Sequence, residues 1–143
     1  MNISNLLGYQ LFETLKLVRA YTDSCAKDIG LTRTEWQVFA SFELIKGPIT
    51  QKDILTHLEI DKAHLARVLE GLQKKGYLKR KPLPDNRRVS SVILTKTGEK
   101  VVTNIKELMV KQHDTIVNGL SIESINSLYT TLTHIQDNLS TSQ

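Results

Sequence analysis

Basic side chains without matching acids concentrate in one stretch of this chain of 143 residues. Residues 62–88 contain nine Lys or Arg and two acidic residues, a net charge of +7. The remainder contains ten basic and thirteen acidic residues, a net charge of −3. A basic segment on a slightly acidic body favours a polyanionic partner. The alternative interpretation is a charged surface that only faces water.

Residues 62–75 have the pattern of a helix with two unlike faces. At about 100° per residue, four apolar side chains share one face, which we expect to pack inward. They are Leu65, Val68, Leu69 and Leu72. On the other side, Ala63 permits close approach, Arg67 suits a bidentate contact to guanine, and His64 suits a base or a phosphate. An ordinary amphipathic surface helix would have the same pattern. The residues of this helix that we expect to contact a nucleic acid are Lys62, Ala63, His64, Arg67 and Lys74.

The pattern then changes to one that predicts a β-hairpin, with strands over Tyr77–Leu83 and Val89–Leu94 joined by residues 84–88. A hairpin tip is narrow enough to enter a minor groove, where the negative potential favours arginine. Asp85 or Asn86 would hold a neighbouring guanidinium extended, and the cations of the first strand, Lys79, Arg80 and Lys81, would meet phosphates. The alternative is a plain turn whose arginines remain in solvent. The hairpin residues that we expect to contact a nucleic acid are Lys79, Lys81, Asp85, Asn86, Arg87 and Arg88.

The elements that must position these residues follow from apolar periodicity and helix caps. The sequence predicts helices over 3–27 and 32–45, a one-residue strand at Ile49, helices over 51–58 and 62–75, the hairpin, and helices over 96–118 and 122–139. Two short helices joined by a tight turn form a helix-turn-helix, and the hairpin after them is its wing. The predicted fold class is mainly α with a small β-ribbon. A winged helix-turn-helix lobe spans about 32–95 within a single domain, 1–143.

The terminal helices, over about 3–27 and 96–140, are longer than a small lobe needs. Their wide apolar stripes suggest burial against another subunit. We therefore expect a homodimer, which would present two copies of the 62–75 helix to a pseudo-palindromic site on double-stranded DNA. The expected dimer contacts are Leu7, Leu11, Leu15, Val18, Leu128, Leu132 and Ile135.

Three stretches of the chain carry a resemblance to a known family. They are LTRTEWQVF at 31–39, KKGYLKR at 74–80 and DNRRVSSVILTKTG at 85–98. With them the chain resembles, over residues 5–140, the MarR family of transcriptional regulators, with its SlyA-like branch as one option. Where the family often has an acid before the arginine pair, this chain has Asn86.

The resemblance implies several properties of the chain. It implies a triangular homodimer, a recognition helix over 62–75, and a wing arginine at Arg87 or Arg88. It also implies a small phenolic or aromatic effector, bound in a cleft between the dimer helices and the lobe. Trp36 lies in the region of that cleft, and its alternative interpretation is a plain core tryptophan.

We expect a cytoplasmic regulator of transcription, either repressor or activator, that needs no cofactor and no metal. The alternative is a winged-helix module for protein–protein or RNA contacts, which would keep the fold but not the groove-facing cations. The basic segment counts against protein scaffolding. An enzyme is disfavoured because no nucleophile, base or metal set stands out, nor does a Gly-rich phosphate loop. The sequence suggests neither a signal peptide nor a membrane span.

Two residue types invite other chemistry. Cys25 is the single cysteine. We interpret it as a passive core or interface thiol rather than a peroxide sensor, because it lies near the end of its helix without a second cysteine. The histidines lack zinc-ligand spacing and are interpreted as separate surface residues. They are His57, His64, His113 and His134.

Overall fold

The computed structural model describes residues 1–142 and confirms the predicted order of elements. After a short 3-10 turn at Ile3–Asn5, the helices are α1 (Leu7–Asp28), α2 (Arg33–Leu44), α3 (Gln51–Leu55), α4 (Lys62–Lys74), α5 (Lys96–Ile116) and α6 (Ile122–Thr141). The strands are β1 (Ile49–Thr50), β2 (Leu78–Pro82) and β3 (Ser90–Leu94). The fold is mainly helical with a small sheet, as the sequence predicts.

Side-chain caps set the starts of the helices around the helix-turn-helix. Thr32 and Glu35 form a reciprocal capping box on α2, with bonds of 3.1 and 3.0 Å between each side chain and the other residue's backbone N–H. Thr50 and Asp53 do the same on α3. Asp61 Oδ1 accepts the His64 N–H at 2.7 Å and caps α4. Each cap satisfies backbone donors that the first helical turn leaves unpaired.

Helix α3 ends earlier than the prediction of 51–58. After Leu55, the His57 N–H donates to the Ile54 carbonyl at 3.0 Å, and the Leu58 N–H donates to the Leu55 carbonyl at 3.3 Å. These are bonds of the tighter 3-10 type, which commonly replace the α pattern at helix ends. The tighter turn leaves Leu58 buried. Apolar periodicity detects a buried Leu58 without revealing that the backbone around it has left the α-helix.

The sheet has three antiparallel strands in the order β1-β3-β2. The predicted ribbon of two strands is therefore extended by β1, which pairs Ile49 with Val92 and Thr50 with Ser91. Strand β2 is an edge strand, which suits Pro82 because proline cannot donate to a ladder. The extra strand brings the start of α3 beside the hairpin.

The core of the lobe lies between α2, α4, the sheet and the first half of α5. Phe39, Leu65, Leu72 and Ile105 are fully buried there. The rings of Phe39 and Tyr77 meet edge to face, with centroids 5.7 Å apart and an interplanar angle of 87°. These contacts join α4 and the start of the hairpin to the rest of the lobe.

A compact junction joins the end of the sheet to the end of α4. The Thr95 hydroxyl donates to the Gly76 carbonyl at 2.6 Å, and the Thr95 N–H donates to the Tyr77 carbonyl at 3.1 Å. The same hydroxyl accepts the Gly98 N–H at 3.2 Å. A Cβ at Gly98 would collide with the Tyr77 carbonyl oxygen. The Leu-Thr-x-x-Gly pattern at 94–98 is thus explained by hydrogen bonding and close backbone packing.

The chain forms two compact units, Met1–Met109 and the residues from Val110 onward. Ala26 is the only fully buried residue of α1, and α6 has none within its described length. Large apolar side chains remain exposed on both helices, among them Leu7, Phe12 and Leu128. None of the helices within residues 1–142 combines the length and the apolar character that crossing a bilayer requires.

The close packing at Gly98 gives a prediction about stability. Gly98→Ala is expected to lower the free energy of unfolding by about 1–3 kcal/mol, because the new methyl group overpacks the junction. Gly71→Ala is the control, since Gly71 lies inside α4 with open space around its Cα. It should raise stability by roughly 0.5–1 kcal/mol. Urea unfolding of both variants tests this, and an unchanged or higher stability of Gly98→Ala would contradict it.

Candidate functional site

Helix α4 presents a basic face to solvent because its leucines are buried in the core on the opposite side. Leu65, Leu69 and Leu72 are at most 2% exposed. Arg67 on the other side is exposed, as the 100° periodicity predicts. Lys62 and Ala63 are exposed at the first turn, and His64 is half-buried. The helix therefore offers a solvent-facing surface about three turns long.

Lys74 is less available than the other cations of this helix. Its Nζ lies 3.4 Å from Glu70 Oε1, one turn earlier. Both side chains are mostly exposed, so the pair stabilises the helix by only about 0.3–0.5 kcal/mol. Such a weak pair can exchange Glu70 for a phosphate without large cost.

The hairpin exposes its predicted cations. Lys79 and Lys81 lie on β2, and Arg87 and Arg88 lie in the turn of residues 83–89, which we call the wing tip. All four side chains are exposed. Because β2 is an edge strand, one side of it remains open to a partner.

Asn86 hydrogen-bonds the backbone of the turn in which it lies. Its Oδ1 accepts the backbone N–H of Arg88 at 3.1 Å, and its carbonyl accepts the Val89 N–H at 3.1 Å. Within residues 1–142, neither Asp85 nor Asn86 hydrogen-bonds a guanidinium. The short amide of Asn86 hydrogen-bonds its own backbone here, and a clamp on a guanidinium stays a prediction. Asn86 shapes the turn that carries the two arginines.

A cavity of about 600 Å³ separates the hairpin from the helix-turn-helix. We call it the basic cavity. Its lining comprises Thr50, Gln51, Lys52, Leu55, Lys62, Arg80, Arg88, Val89 and Ser90. Four of these residues are cations and none is an acid. The Arg80 Nη2 donates to Gln51 Oε1 at 3.4 Å.

Sequence reasoning missed Lys52 and Gln51 as members of this surface. Both lie outside the basic stretch 62–88, and no periodicity links them to the wing. Only the pairing of β1 with β3 brings the start of α3 beside the hairpin. A sequence signal for that pairing existed in the predicted strand at Ile49, but its partner could not be read from it.

A second cavity, of about 310 Å³, lies between α1 and α2. We call it the Trp36 cavity. Trp36 itself is 4% exposed, so little of its indole reaches the cavity. Polar groups from α1, α2 and the helix-turn-helix turn surround it, among them Arg19, Arg33 and His57. This arrangement combines an aromatic ring, aliphatic side chains and cations.

Two ion pairs fix the polar groups of the Trp36 cavity. Arg33 donates to both carboxylate oxygens of Asp23, at 2.9 and 2.6 Å. Hydrogen bonding from Arg33 lowers the pKa of Asp23. The pair therefore stabilises the fold at neutral pH, an effect that is lost as pH falls through the lowered pKa. Arg19 Nη2 lies 3.0 Å from Glu59 Oε2 and links α1 to the turn before α4.

The predicted dimer contacts lie on α1 and α6. Leu7, Leu11, Leu15 and Leu128 are exposed, whereas Val18, Leu132 and Ile135 are half-buried. Leu15 also lines the Trp36 cavity. A single chain leaves these apolar side chains only partly covered.

The remaining candidate residues are dispersed. Cys25 is a half-buried thiol that packs against the lobe core. His57 lines the Trp36 cavity, whereas His113 and His134 are exposed on α5 and α6. Among the described residues, no three His, Cys, Asp or Glu side chains gather as metal ligands would.

Comparison with known proteins gives a match to a family model and several structures of similar fold. Residues 31–90, which contain the helix-turn-helix and most of the hairpin, match the sequence model of the MarR family. The transcriptional regulator PA3341 has a similar structure, with a TM-score of 0.86 and 22% identity over 95% of this chain and 99% of its own.

Two further solved structures are similar. CouR of Rhodococcus jostii RHA1, a transcriptional repressor bound to a 23-mer DNA duplex, has a TM-score of 0.77 and 25% identity over 94% of each chain. BpsR of Bordetella bronchiseptica, described with the regulation of its DNA binding by 6-hydroxynicotinic acid, has a TM-score of 0.78. It is 21% identical over 96% of this chain and 97% of its own. At these identities the likeness concerns the fold.

Proposed function

We propose that the chain is a MarR-family, homodimeric, sequence-specific regulator of transcription that binds double-stranded DNA, a proposal supported by the match of residues 31–90 to the MarR family model. The observation that carries the proposal is the exposed basic face of α4, held outward by its buried leucines beside a basic hairpin. CouR, which has the same fold, is solved on a DNA duplex. Binding alone, without a chemical reaction on the DNA, would regulate transcription. We expect the protein to act in the cytoplasm.

Helix α4 is proposed to enter the major groove. Arg67 would read a guanine through two hydrogen bonds, and Ala63 would allow the helix backbone to come close to the base edges. Lys62 and His64 at the first turn would contact bases or phosphates. The wing tip would place Arg87 or Arg88 in the adjacent minor groove, where the potential favours arginine. The lysines of β2 would contact phosphates and position the lobe.

The proposed dimer explains the exposed terminal helices. Monomeric proteins rarely leave apolar residues such as Leu7, Phe12 and Leu128 open to water along two long helices. An interface between two copies would bury them, and such interfaces commonly bury over ~2,000 Å². Two-fold symmetry then places two α4 helices about one turn of DNA apart, which predicts a pseudo-palindromic operator. Whether transcription falls or rises depends on where that operator lies.

The Trp36 cavity is proposed to bind a small aromatic effector that carries a negative charge. Trp36 and Leu15 provide apolar surface, and Arg19 and His57 provide positive or hydrogen-bonding groups. BpsR, a protein of the same fold, is described with regulation of DNA binding by 6-hydroxynicotinic acid. A ligand shifts DNA binding only by its differential affinity for the two conformations of the protein.

The division of labour within the lobe can be tested with two charge deletions. Arg67→Ala should cost about 1–3 kcal/mol on the preferred duplex and relax base preference, because it removes base readout. Lys79→Ala, the control, should weaken specific and random duplexes equally, because phosphates are the same in both. Selection of bound duplexes from a random pool, followed by titration, measures both. Equal losses on specific and random DNA for Arg67→Ala would contradict base readout.

The proposed dimer has its own test. The wild-type chain should sediment at twice its mass of 16.2 kDa at micromolar concentration. Leu11→Glu should shift it toward monomer, because the carboxylate would be buried in the interface. Gln10→Glu, one residue earlier and also exposed, adds the same charge without removing apolar area and should remain dimeric. A folded wild-type monomer under these conditions would contradict the proposal.

The effector proposal can be tested through Trp36, the single tryptophan of the chain. Salicylate-like aromatic acids should quench its fluorescence and weaken DNA binding by about 5- to 150-fold, the range of coupling free energies near 1–3 kcal/mol. Both signals should saturate at the same ligand concentration. Quenching without any change in DNA affinity would remove the regulatory role and leave only a ligand site.

A further inference from the structure

The basic cavity between the hairpin and the helix-turn-helix concentrates positive charge from four separate elements. Lys52 comes from α3, Lys62 from the first turn of α4, Arg80 from β2 and Arg88 from the wing tip. None of the four takes part in an ion pair within the described chain. Four like charges around one cavity repel each other, so an anion there would be stabilised by all of them.

The carboxylates adjacent in sequence to Lys52 and Lys62 act as helix caps, although Asp53 also attracts Lys52 electrostatically. Asp53 accepts the Thr50 backbone N–H at 2.9 Å, and Asp61 accepts the His64 backbone N–H at 2.7 Å. Hydrogen bonding to Thr50 lowers the pKa of Asp53, so this carboxylate remains ionised as a helix cap. Neither acid lines the cavity. Capping bonds thus occupy Asp53 and Asp61, and Asp85, three residues before Arg88, does not line the cavity either.

Arg80 is held in a position that suits a bound oxyanion. One of its terminal nitrogens donates to Gln51 Oε1 at 3.4 Å. A guanidinium has five N–H donors in a planar fork, so this bond leaves others for an anion. A phosphate matches that fork well, because its oxygens can accept two parallel bonds. The cavity volume of about 600 Å³ is ample for one phosphate group.

We propose that the basic cavity holds a backbone phosphate of the bound DNA, clamped by Lys52, Lys62, Arg80 and Arg88. The proposal rests on the proposed DNA binding, to which it adds Lys52 and one phosphate shared by Lys52 and Arg80. The cavity shares Lys62 with the groove-facing side of α4 and Arg88 with the wing tip, so it is continuous with the proposed DNA surface. A phosphate held here would fix α4 and the wing to one DNA strand at the same point.

The clamp can be tested by removing charge from the protein and from the DNA together. The probe is the best-bound duplex from a random pool, with one neutral methylphosphonate linkage moved stepwise through a half-site. Wild-type protein should lose affinity at a particular linkage, and Arg80→Gln and Lys52→Gln should lose little further there. Each variant should also flatten the dependence of log K on log salt by about two units, one lost contact in each lobe of the dimer.

Lys27→Gln is the matched control, because Lys27 is an exposed cation of α1 outside the cavity. It should keep both the wild-type salt dependence and the full methylphosphonate penalty. Full penalties for Arg80→Gln and Lys52→Gln at every linkage would overturn the clamp while leaving DNA binding intact. No preference of the wild-type protein for any duplex would overturn the proposed function, and the clamp with it.

A free anion is the competing occupant, and inorganic pyrophosphate is its probe. If a DNA phosphate occupies the cavity, pyrophosphate and DNA cannot bind there together. Pyrophosphate should therefore compete with DNA for the wild-type protein and not for Arg80→Gln. A Tm increase with pyrophosphate that disappears in Arg80→Gln, together with unchanged methylphosphonate penalties, would assign the cavity to a free anion instead. That result would overturn the DNA phosphate as the occupant.

Discussion

Burial of one face of α4 is the constraint on which the rest of the structure depends. Leu65, Leu69 and Leu72 are removed from water almost completely. Each such side chain contributes on the order of 1.5–3 kcal/mol relative to exposure. A rotation of α4 by two residues, about 200°, would expose this face and bury Arg67. The same packing that stabilises the lobe therefore fixes which side chains face a partner.

The position of the hairpin depends on a different kind of contact. Its base is tied to the end of α4 by the Thr95 hydroxyl and by the close backbone packing at Gly98. On its other side, β3 pairs with β1, which leads directly into α3. The wing is thus attached to both helices of the helix-turn-helix. Charges on the wing tip and on α3 can therefore surround one cavity, although they are separated by more than thirty residues in sequence.

The parts of the fold that the sequence predicts are those determined locally. Capping residues such as Thr32 and Asp61 predict where helices start, and alternation of apolar and polar residues predicts strands. Both signals depend only on residues that are close in sequence. The end of α3 is misjudged because Leu58 is buried through a 3-10 turn. The hydrogen bond of Asn86 to its own turn is not predicted, because a sequence motif does not reveal which donor lies nearest. Lys52 and Arg80 line the same cavity because β1 pairs with β3. No local sequence signal predicts that pairing.

Helix α1 contributes to both the proposed dimer interface and the Trp36 cavity. Leu15 is exposed on its proposed interface side and also lines the Trp36 cavity. Four residues later, Arg19 pairs with Glu59, which stands two residues before Asp61, the cap of α4. A continuous set of contacts therefore runs from the exposed stripe of α1 to the start of the recognition helix. Because the Arg19–Glu59 pair is largely exposed, it contributes little stability by itself. It is thus the kind of contact that the proposed charged effector beside Arg19 would displace without unfolding the lobe. In that proposal, α1 is the element where dimer packing, effector binding and the orientation of α4 would meet.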